Sequence, residues 1–295
     1  MLYSAKPALY IVATPIGHLD DASPRCRGVL EQVDLIAAED TRVARKLLSA
    51  FGISGKELVS YYDHVEQEKS AQIIERMQRE QLNVALISDA GTPCVADPGY
   101  RLVAAAHQAG IPVHPVAGPS ALTAIVSASG LPSDRVMFLG FLPSKTSLLR
   151  QEIHIWKTYR GASIVFFESL RRLHKSLTII ADCYPHAQIA IGRELSKLFE
   201  EVRLLPVTKA LEWIKTEAVL KGEVTAIVHI ADDTNEHGSK ELTDGSELED
   251  LKARIEREFA AGKTLKDLLT EFRNCGLSRS ELYQLLLDAR PEQDS

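Results

Sequence analysis

Positive charge is the first thing in short supply. In 295 residues, 34 Lys and Arg stand against 40 Asp and Glu, a formal net charge of −6. No domain-wide basic field is available, so a nucleic-acid partner would have to be met by local patches. Cysteine is scarce: Cys26, Cys94, Cys183 and Cys275 lie far apart, with no Cys-x-x-Cys pair and no Cys/His spacing of a zinc site. They read as small apolar side chains buried in a reducing compartment. The N-terminal MLYSAKPALYIVATP is too short an apolar run for a membrane span and lacks a signal-peptide pattern. A soluble, cytoplasmic protein is expected. Neither G-x-G-x-x-G nor a Walker A loop occurs, and no serine-hydrolase elbow or metal-ligand cluster does either. No metal is expected. The nine histidines are scattered, and only His64, in YYDHVEQEK, stands near other polar candidates.

Apolar residues make up 45% of the chain, ample for real cores. Short apolar runs recur at 9–13, 33–38, 84–87, 113–116, 136–139, 163–167, 187–191, 202–205 and 224–230. Most are β-branched and continuous rather than alternating, as strands buried on both faces are. Amphipathic segments such as 65–78, 99–109, 120–129 and 170–181 lie between them. This alternation predicts α/β layers. A boundary is expected near Gly130-Leu131-Pro132-Ser133, dividing an N-terminal α/β domain (1–130) from a second (131–231). The runs at 187–191 and 202–205 follow each other with no helix between, which predicts a hairpin and a mixed sheet.

The polar stretch 232–246 reads as a linker, followed by a helical extension over 247–295 with helices at 247–261, 265–274 and 278–288. Gly276 fits a C′ position and Ser278 with Glu281 a capping box. The pattern fits a helix-turn-helix DNA reader or a helical packing or dimerisation module. The latter is preferred, because the last helix carries only Arg279 among bases on its first turns.

Three turns of similar make follow strands. In IVATPIGHLDD, Pro15 holds the chain extended and Gly17 lets it turn. In LISDAGTPCVADPGYRL, small residues crowd around Asp89, whose carboxylate could accept from hydroxyls or an ammonium group. There Asp97 and Pro98 are expected as N-cap and first residue of the next helix, which explains Asp97 without a ligand. In PVAGPSALTA, Gly118-Pro119-Ser120 opens another helix. In AAEDTRVARKLL, Glu39 and Asp40 close a strand, Thr41 is the expected cap, and Arg42, Arg45 and Lys46 share one side of the helix. Ligands of open α/β sheets bind at such strand ends. Phosphates recruit glycine amides or Arg and Lys, and these loops carry almost no base. They suit a phosphate-free ligand, and S-adenosylmethionine is one.

LYIVATPIGHLDD, VDLIAAEDTR, LISDAGTPCVADPGYRLV, AGPSAL, GLPSDRVMFLGFLPSK, FFESLRRL, GRELSKLFEE and KGEVTAIV occur in order between about Leu9 and Ile230. Together they make the chain similar to the tetrapyrrole-methylase-like family of S-adenosylmethionine-dependent methyltransferases. The resemblance implies a two-domain α/β fold with S-adenosyl-L-methionine in the cleft between domains, and a homodimer. It also implies 2′-O-methylation of a cytidine ribose in small-subunit (16S) rRNA near the decoding centre. Carried over by position, cofactor contacts fall on Pro15, Asp89, Ala90, Gly91, Val95, Ser120 and Ala121. From the second domain they fall on Phe167, Leu195 and the backbone near Thr225 and Ala226. Three stretches depart from the family pattern: ESLRR, Tyr62-Asp63-His64-Val65-Glu66, and Ala117 before Gly118.

A ribose hydroxyl needs a base within hydrogen-bond reach. Glu39, Asp40, Asp63, Glu168 and Glu194 are the candidates; Glu39 and Asp40 are favoured because both close a strand beside the first cofactor turn. RNA contacts are expected from Arg42, Arg45, Lys46, Lys145, Arg150, Arg171, Arg172, Arg193 and Lys197. Two other functions remain in competition: methylation of a tetrapyrrole by the same fold, and a non-catalytic ribosome-assembly factor that binds RNA through the helical tail.

Overall fold

The structure is a computed structural model and describes residues 7–159, 161–216, 222–231, 245–272 and 279–289. The chain forms two compact units, Met1–Ile230 and Ala231–Ser295.

The first unit holds two five-stranded sheets. In the first sheet β1 (Ala8–Val12), β2 (Leu35–Ala38), β3 (Glu57–Ser60), β4 (Asn83–Ile87) and β5 (Val113–Val116) are all parallel, in the order β3-β2-β4-β1-β5. Alternate side chains feed two cores. Tyr10, Val12, Ile36 and Ile87 pack with Val29 and Leu30 of α1 (Pro24–Gln32) and Leu48 of α2 (Thr41–Ala50). Leu9, Leu35, Val84 and Leu86 pack with Met77 of α3 (Glu66–Glu80) and Leu102 of α4 (Tyr100–Gln108). Both faces of β1, β2 and β4 are buried, which is why these strands read as nearly unbroken apolar runs, with Asn83 at the start of β4 the exception. β3 escaped the sequence reading because it is a half-exposed edge with a single Leu-Val pair.

The second sheet runs β6-β7-β10-β8-β9, from β6 (Val136–Phe141), β7 (Ala162–Ser169), β8 (Gln188–Arg193), β9 (Glu201–Pro206) and β10 (Glu223–Ile230). Only β6 and β7 are parallel, so the sheet is mixed, and β8 and β9 form the expected hairpin. One face packs Phe166, Ile189, Ile191 and Val228 against α6 (Thr146–Ile155), α7 (Leu170–Cys183) and α8 (Val207–Thr216), with Trp156 at the centre. The other face packs Val165, Ala190 and Ile227 against Ile125 of α5 (Ala121–Ala128). The helix that follows the last strand of the first sheet thus lies on the second, and a cleft opens beside it.

In the second unit, Leu251 and Ile255 of α9 (Gly245–Ala260), Leu268 of α10 (Leu265–Glu271) and Leu282 and Leu286 of α11 (Arg279–Asp288) share a core. α10 starts on a capping box of Thr264 and Asp267. The box expected from Ser278 and Glu281, Gly276, and most of the expected linker (232–244) lie outside the described residues. α9 takes the linker's last two positions. No helix among the described residues is long and apolar enough to cross a membrane.

Candidate active site

The turns at the carboxyl ends of the first sheet are tied to one another. Thr14, buried after β1, donates its N–H to the Gly91 carbonyl at 2.8 Å and accepts the Gly91 N–H at 3.1 Å. Its hydroxyl donates to the Ser88 carbonyl at 3.3 Å. Asp89 accepts the Asp40 N–H at 3.0 Å, and Glu39 accepts the Asp89 N–H at 3.3 Å. The Thr92 hydroxyl donates to the Pro119 carbonyl at 3.2 Å and brings in the turn before α5. Small residues after each strand let these backbones approach, and side chains meet the polar groups that burial would otherwise orphan.

Two aspartates change roles relative to the sequence reading. Asp40, not Thr41, is the N-cap of α2: it accepts the Arg42 N–H at 2.7 Å and two guanidinium bonds from the same residue. These hydrogen bonds hold its carboxyl down at about 2, so it is a poor proton acceptor. Asp97, by contrast, does not cap α4. That helix begins at Tyr100, and Gly99 at its cap position makes no side-chain bond. Its free amides are met from a distance. The buried carboxylate of Glu66 accepts the Gly99 N–H at 2.7 Å and the Arg101 N–H at 3.4 Å. It also accepts the Tyr61 hydroxyl at 3.3 Å and pairs with the Arg101 guanidinium at 3.4 Å. Freed from capping, Asp97 lines the cleft. Burial, then the charges of Glu39, Asp89 and Asp63, push its carboxyl up to about 6. Burial also raises Glu39 and Asp89 above the ordinary carboxylate range, reinforced in each by neighbouring aspartates.

The opposite wall is one cross-strand row of the second sheet: Phe141 beside Phe167, Phe167 beside Thr225, and Thr225 beside Gly192. Leu195, Glu223 and Val224 complete it. Between the walls lies a cavity of about 230 Å³.

Of the residues expected to hold a cofactor, Asp89, Ala90, Gly91, Val95, Ser120, Ala121, Phe167, Leu195 and Thr225 all line this one cleft. Pro15 does not; its neighbour Ile16 does. The backbone near Thr225 borders the cleft through Val224 and Thr225, while Ala226 is not in its lining and turns its side chain to the core under the helices. The sequence reading missed Ile16, Thr92, Asp97, Phe141, Gly192, Glu223 and Val224. All seven sat inside quoted motifs, but Asp97 was assigned to a helix cap and the facing of the others depends on turn geometry and strand register.

The remaining base candidates divide. Glu39 lines the cleft. Glu168 does too, but it is buried and saturated by the Ser169 N–H (2.9 Å), the Arg172 guanidinium (3.1 Å) and the Ser176 hydroxyl (3.0 Å). Glu194 accepts the Glu223 N–H at 2.9 Å and holds Lys197 at 3.4 Å. Asp63 is exposed on a short 3₁₀ turn with His64.

Among the cations, Arg45, Lys46, Lys145 and Arg171 are exposed, and Arg42 is exposed though bound to Asp40. Arg150 meets Asp182 at 3.4 Å on the surface. Arg172 is committed to Glu168 and to the Leu142 carbonyl (2.6 Å), and Lys197 to Glu194 and Glu223. Arg193 is half-buried at the end of β8. Neither Lys nor Arg lines the cleft among the described residues. Of the cysteines, Cys26 is buried as expected, but Cys94 is exposed and Cys183 half-buried. Cys94 sits in a turn at φ +68°, where the chain folds back toward Gly99 and leaves it outside the core. Cys275 lies outside the described residues.

The sequence model of the Tetrapyrrole (Corrin/Porphyrin) Methylases matches residues 8–211. A protein of Escherichia coli O157:H7 named Ribosomal RNA small subunit methyltransferase I is 44% identical over 227 residues, 76% of this chain and 78% of its own. The Mesorhizobium japonicum protein of the same name is 38% identical over 286 residues, 97% of this chain and 93% of its own. The crystal structure of the methyltransferase CobJ superposes with a TM-score of 0.56 at 17% identity, covering 76% of this chain and 94% of that one. The extent of the family match and the level of identity to these relatives lead to one conclusion: the chain belongs to the tetrapyrrole (corrin/porphyrin) methylase family.

Proposed function

We propose that the protein is an S-adenosylmethionine-dependent methyltransferase that methylates the ribose 2′-hydroxyl of a cytidine in small-subunit ribosomal RNA. We propose further that it works as a cytoplasmic homodimer with the small ribosomal subunit or its 16S rRNA as partner. The observation that carries the reading is the cleft's charge. Five carboxylates, Glu39, Asp89, Asp97, Glu168 and Glu223, line it, and among the described residues no Lys or Arg does. A dinucleotide's phosphates would be repelled, whereas a sulfonium and an ammonium group suit it. The cleft's strand-row wall offers apolar surface for a nucleoside. The relatives' names point to ribosomal RNA rather than a tetrapyrrole as acceptor.

Bound there, S-adenosylmethionine supplies a methyl group activated by its sulfonium. The protein's task is placement, which alone lowers such barriers substantially. Asp89 and Asp97 would bear the cation's charge, with Ala90, Gly91, Val95, Ser120 and Ala121 shaping the seat and Phe167, Leu195 and Thr225 closing it. Glu39 is the side chain best placed to take a proton from an acceptor hydroxyl. It faces the cleft, and burial keeps its proton affinity above that of an ordinary glutamate. Exposed Arg45, Lys46, Lys145 and Arg171 would supply phosphate contacts.

Mapping ribose methylation on small-subunit rRNA from cells with and without the protein tests the reading. One cytidine should lose its 2′-O-methyl group. An unchanged map, with methyl transfer to a porphyrinoid by the purified protein, would reassign it to tetrapyrrole chemistry.

A further inference from the structure

Phe141 is 63% exposed at the mouth of the cleft and lines it. Its ring offers a large apolar surface to whatever enters there. The strand is built to put it there. Along β6 the register runs Phe138 to Val165 and then Phe141 to Phe167, three residues against two, so β6 carries one extra residue. Such a bulge re-aims a side chain. Gly140 makes it possible by adopting φ +63°, and its α-carbon packs where an added Cβ would lie 3.6 Å from Ala96 Cβ, beside the Asp97 turn. Without the extra residue, position 141 would fall on the opposite face of the sheet.

The ring is also held still. It meets Phe167 edge to face at 5.5 Å, and Phe167 meets Phe138 in the same way at 4.9 Å. The backbone just after it is fixed by Arg172, which donates to the Leu142 carbonyl while anchored on buried Glu168. Lys175 donates to the Ser144 carbonyl at 2.8 Å. An exposed aromatic ring, in edge contact with Phe167, is thus presented by a residue that lines the cleft.

We propose that Phe141 is the platform on which the base of the acceptor nucleotide stacks, orienting its ribose toward the cleft. The inference rests on the proposed RNA reaction. A base lifted from its neighbours is commonly held by stacking on an aromatic side chain, which tolerates any base because each has a π-face. Exposed Lys145, four residues on, is the N-cap of α6 and offers a charge to a neighbouring phosphate.

The test uses the full-length protein with purified small subunits in single-turnover methylation. It is joined by calorimetric titration of S-adenosylmethionine and sedimentation of each variant. Phe141→Ala should lower the ratio of rate to half-saturating acceptor by about ten- to a hundredfold. Cofactor affinity should stay within about twofold and the sedimentation should not change. Phe141→Tyr and Phe141→Trp should restore most of the loss, and Phe141→Leu, equally apolar but without a π-face, should not. Rescue by Leu would overturn the proposal, as would an equal loss of cofactor affinity in Phe141→Ala, which would place the ring on the cofactor. A change in oligomeric state would overturn it too, by showing that a second copy covers the ring. A wild type inert on the RNA would overturn the proposed function, and this inference with it; an active wild type matched by Phe141→Ala would overturn this inference alone.

Discussion

The first-sheet wall of the cleft is made of turns. Its contacts are hydrogen bonds between residues 27 to 77 positions apart, such as Thr92 to Pro119, Asp40 to Asp89 and Thr14 to Gly91. The second wall is a strand row, Phe141, Phe167, Thr225 and Gly192, whose positions follow from ladder register. The first wall gathers charge, and the second offers shape. Turns can aim carboxylates and backbone at a ligand, but only if something outside each turn fixes it; a strand face needs no such support. The turn wall should therefore be the fragile one, and its weakest dependency is Glu66, which reaches from α3 to hold Gly99 and Arg101.

Removing that anchor should produce the largest effect. Glu66→Ala leaves two amides, a tyrosine hydroxyl and a guanidinium without their shared acceptor. We expect a loss of about 3 kcal/mol of stability in urea denaturation. Cofactor affinity should fall with it, because the Asp97 turn is released. Glu66→Gln, which can still accept the Gly99 N–H, should lose less. A stability equal to wild type in Glu66→Ala would mean that the turn is held elsewhere. Next comes Gly99→Ala. At φ +146°, an added Cβ would lie 2.6 Å from Cys94 Sγ and 2.8 Å from Leu86 Cδ2. Strain and overpacking together should cost about 2 kcal/mol, read as a lowered Tm. A matched Gly-to-Ala change that improves stability would show that the loop moves freely.

Proton linkage sharpens the same contrast, because the clustered carboxylates belong to the turn wall. Asp97 titrates near 6 in the fold against an ordinary value of 3.8. The folded protein therefore binds the extra proton between those values. The stability this group contributes is present below about 4 and is lost as pH rises toward 6. A bound cation favours the ionised form, so S-adenosylmethionine affinity should increase as pH climbs through 6. Asp97→Asn should flatten that rise and weaken binding by about tenfold at neutral pH. Isothermal titration at several pH values measures both; a wild-type profile level from 5 to 8 would remove Asp97 from the seat.

The same division explains what was legible beforehand. The inner strands of the parallel sheet announce themselves, because burial on both faces demands nearly unbroken apolar runs, while the half-exposed edge β3 does not. Asp89, Ala90 and Gly91 were readable because no local structure used them up. Asp97 was misread because a sequence shows the carboxylate next to a helix start and not the one, 33 residues back, that occupies the same amides. Phe141 was invisible for a different reason. Its exposure follows from a one-residue bulge, and a bulge is a relation between two strands. The two walls could be assigned to their chain segments, but their facing residues depend on register, which composition does not carry.

The smallest effect should come from Asp40, and it separates the two carboxylates that end β2. Asp40 and Glu39 are adjacent, yet one faces the cleft and the other is turned onto Arg42 at the start of α2. Asparagine caps helices about as well as aspartate. Asp40→Asn should therefore keep α2 intact and leave the single-turnover rate within about threefold of wild type, since a group held near 2 has little capacity to take a proton. Glu39→Gln, by contrast, should slow the chemical step by about a hundredfold while cofactor binding persists. If Asp40→Asn is the slower of the two, with the helix unchanged by circular dichroism, the proton leaves through the capping residue and the division of labour at this strand end is reversed.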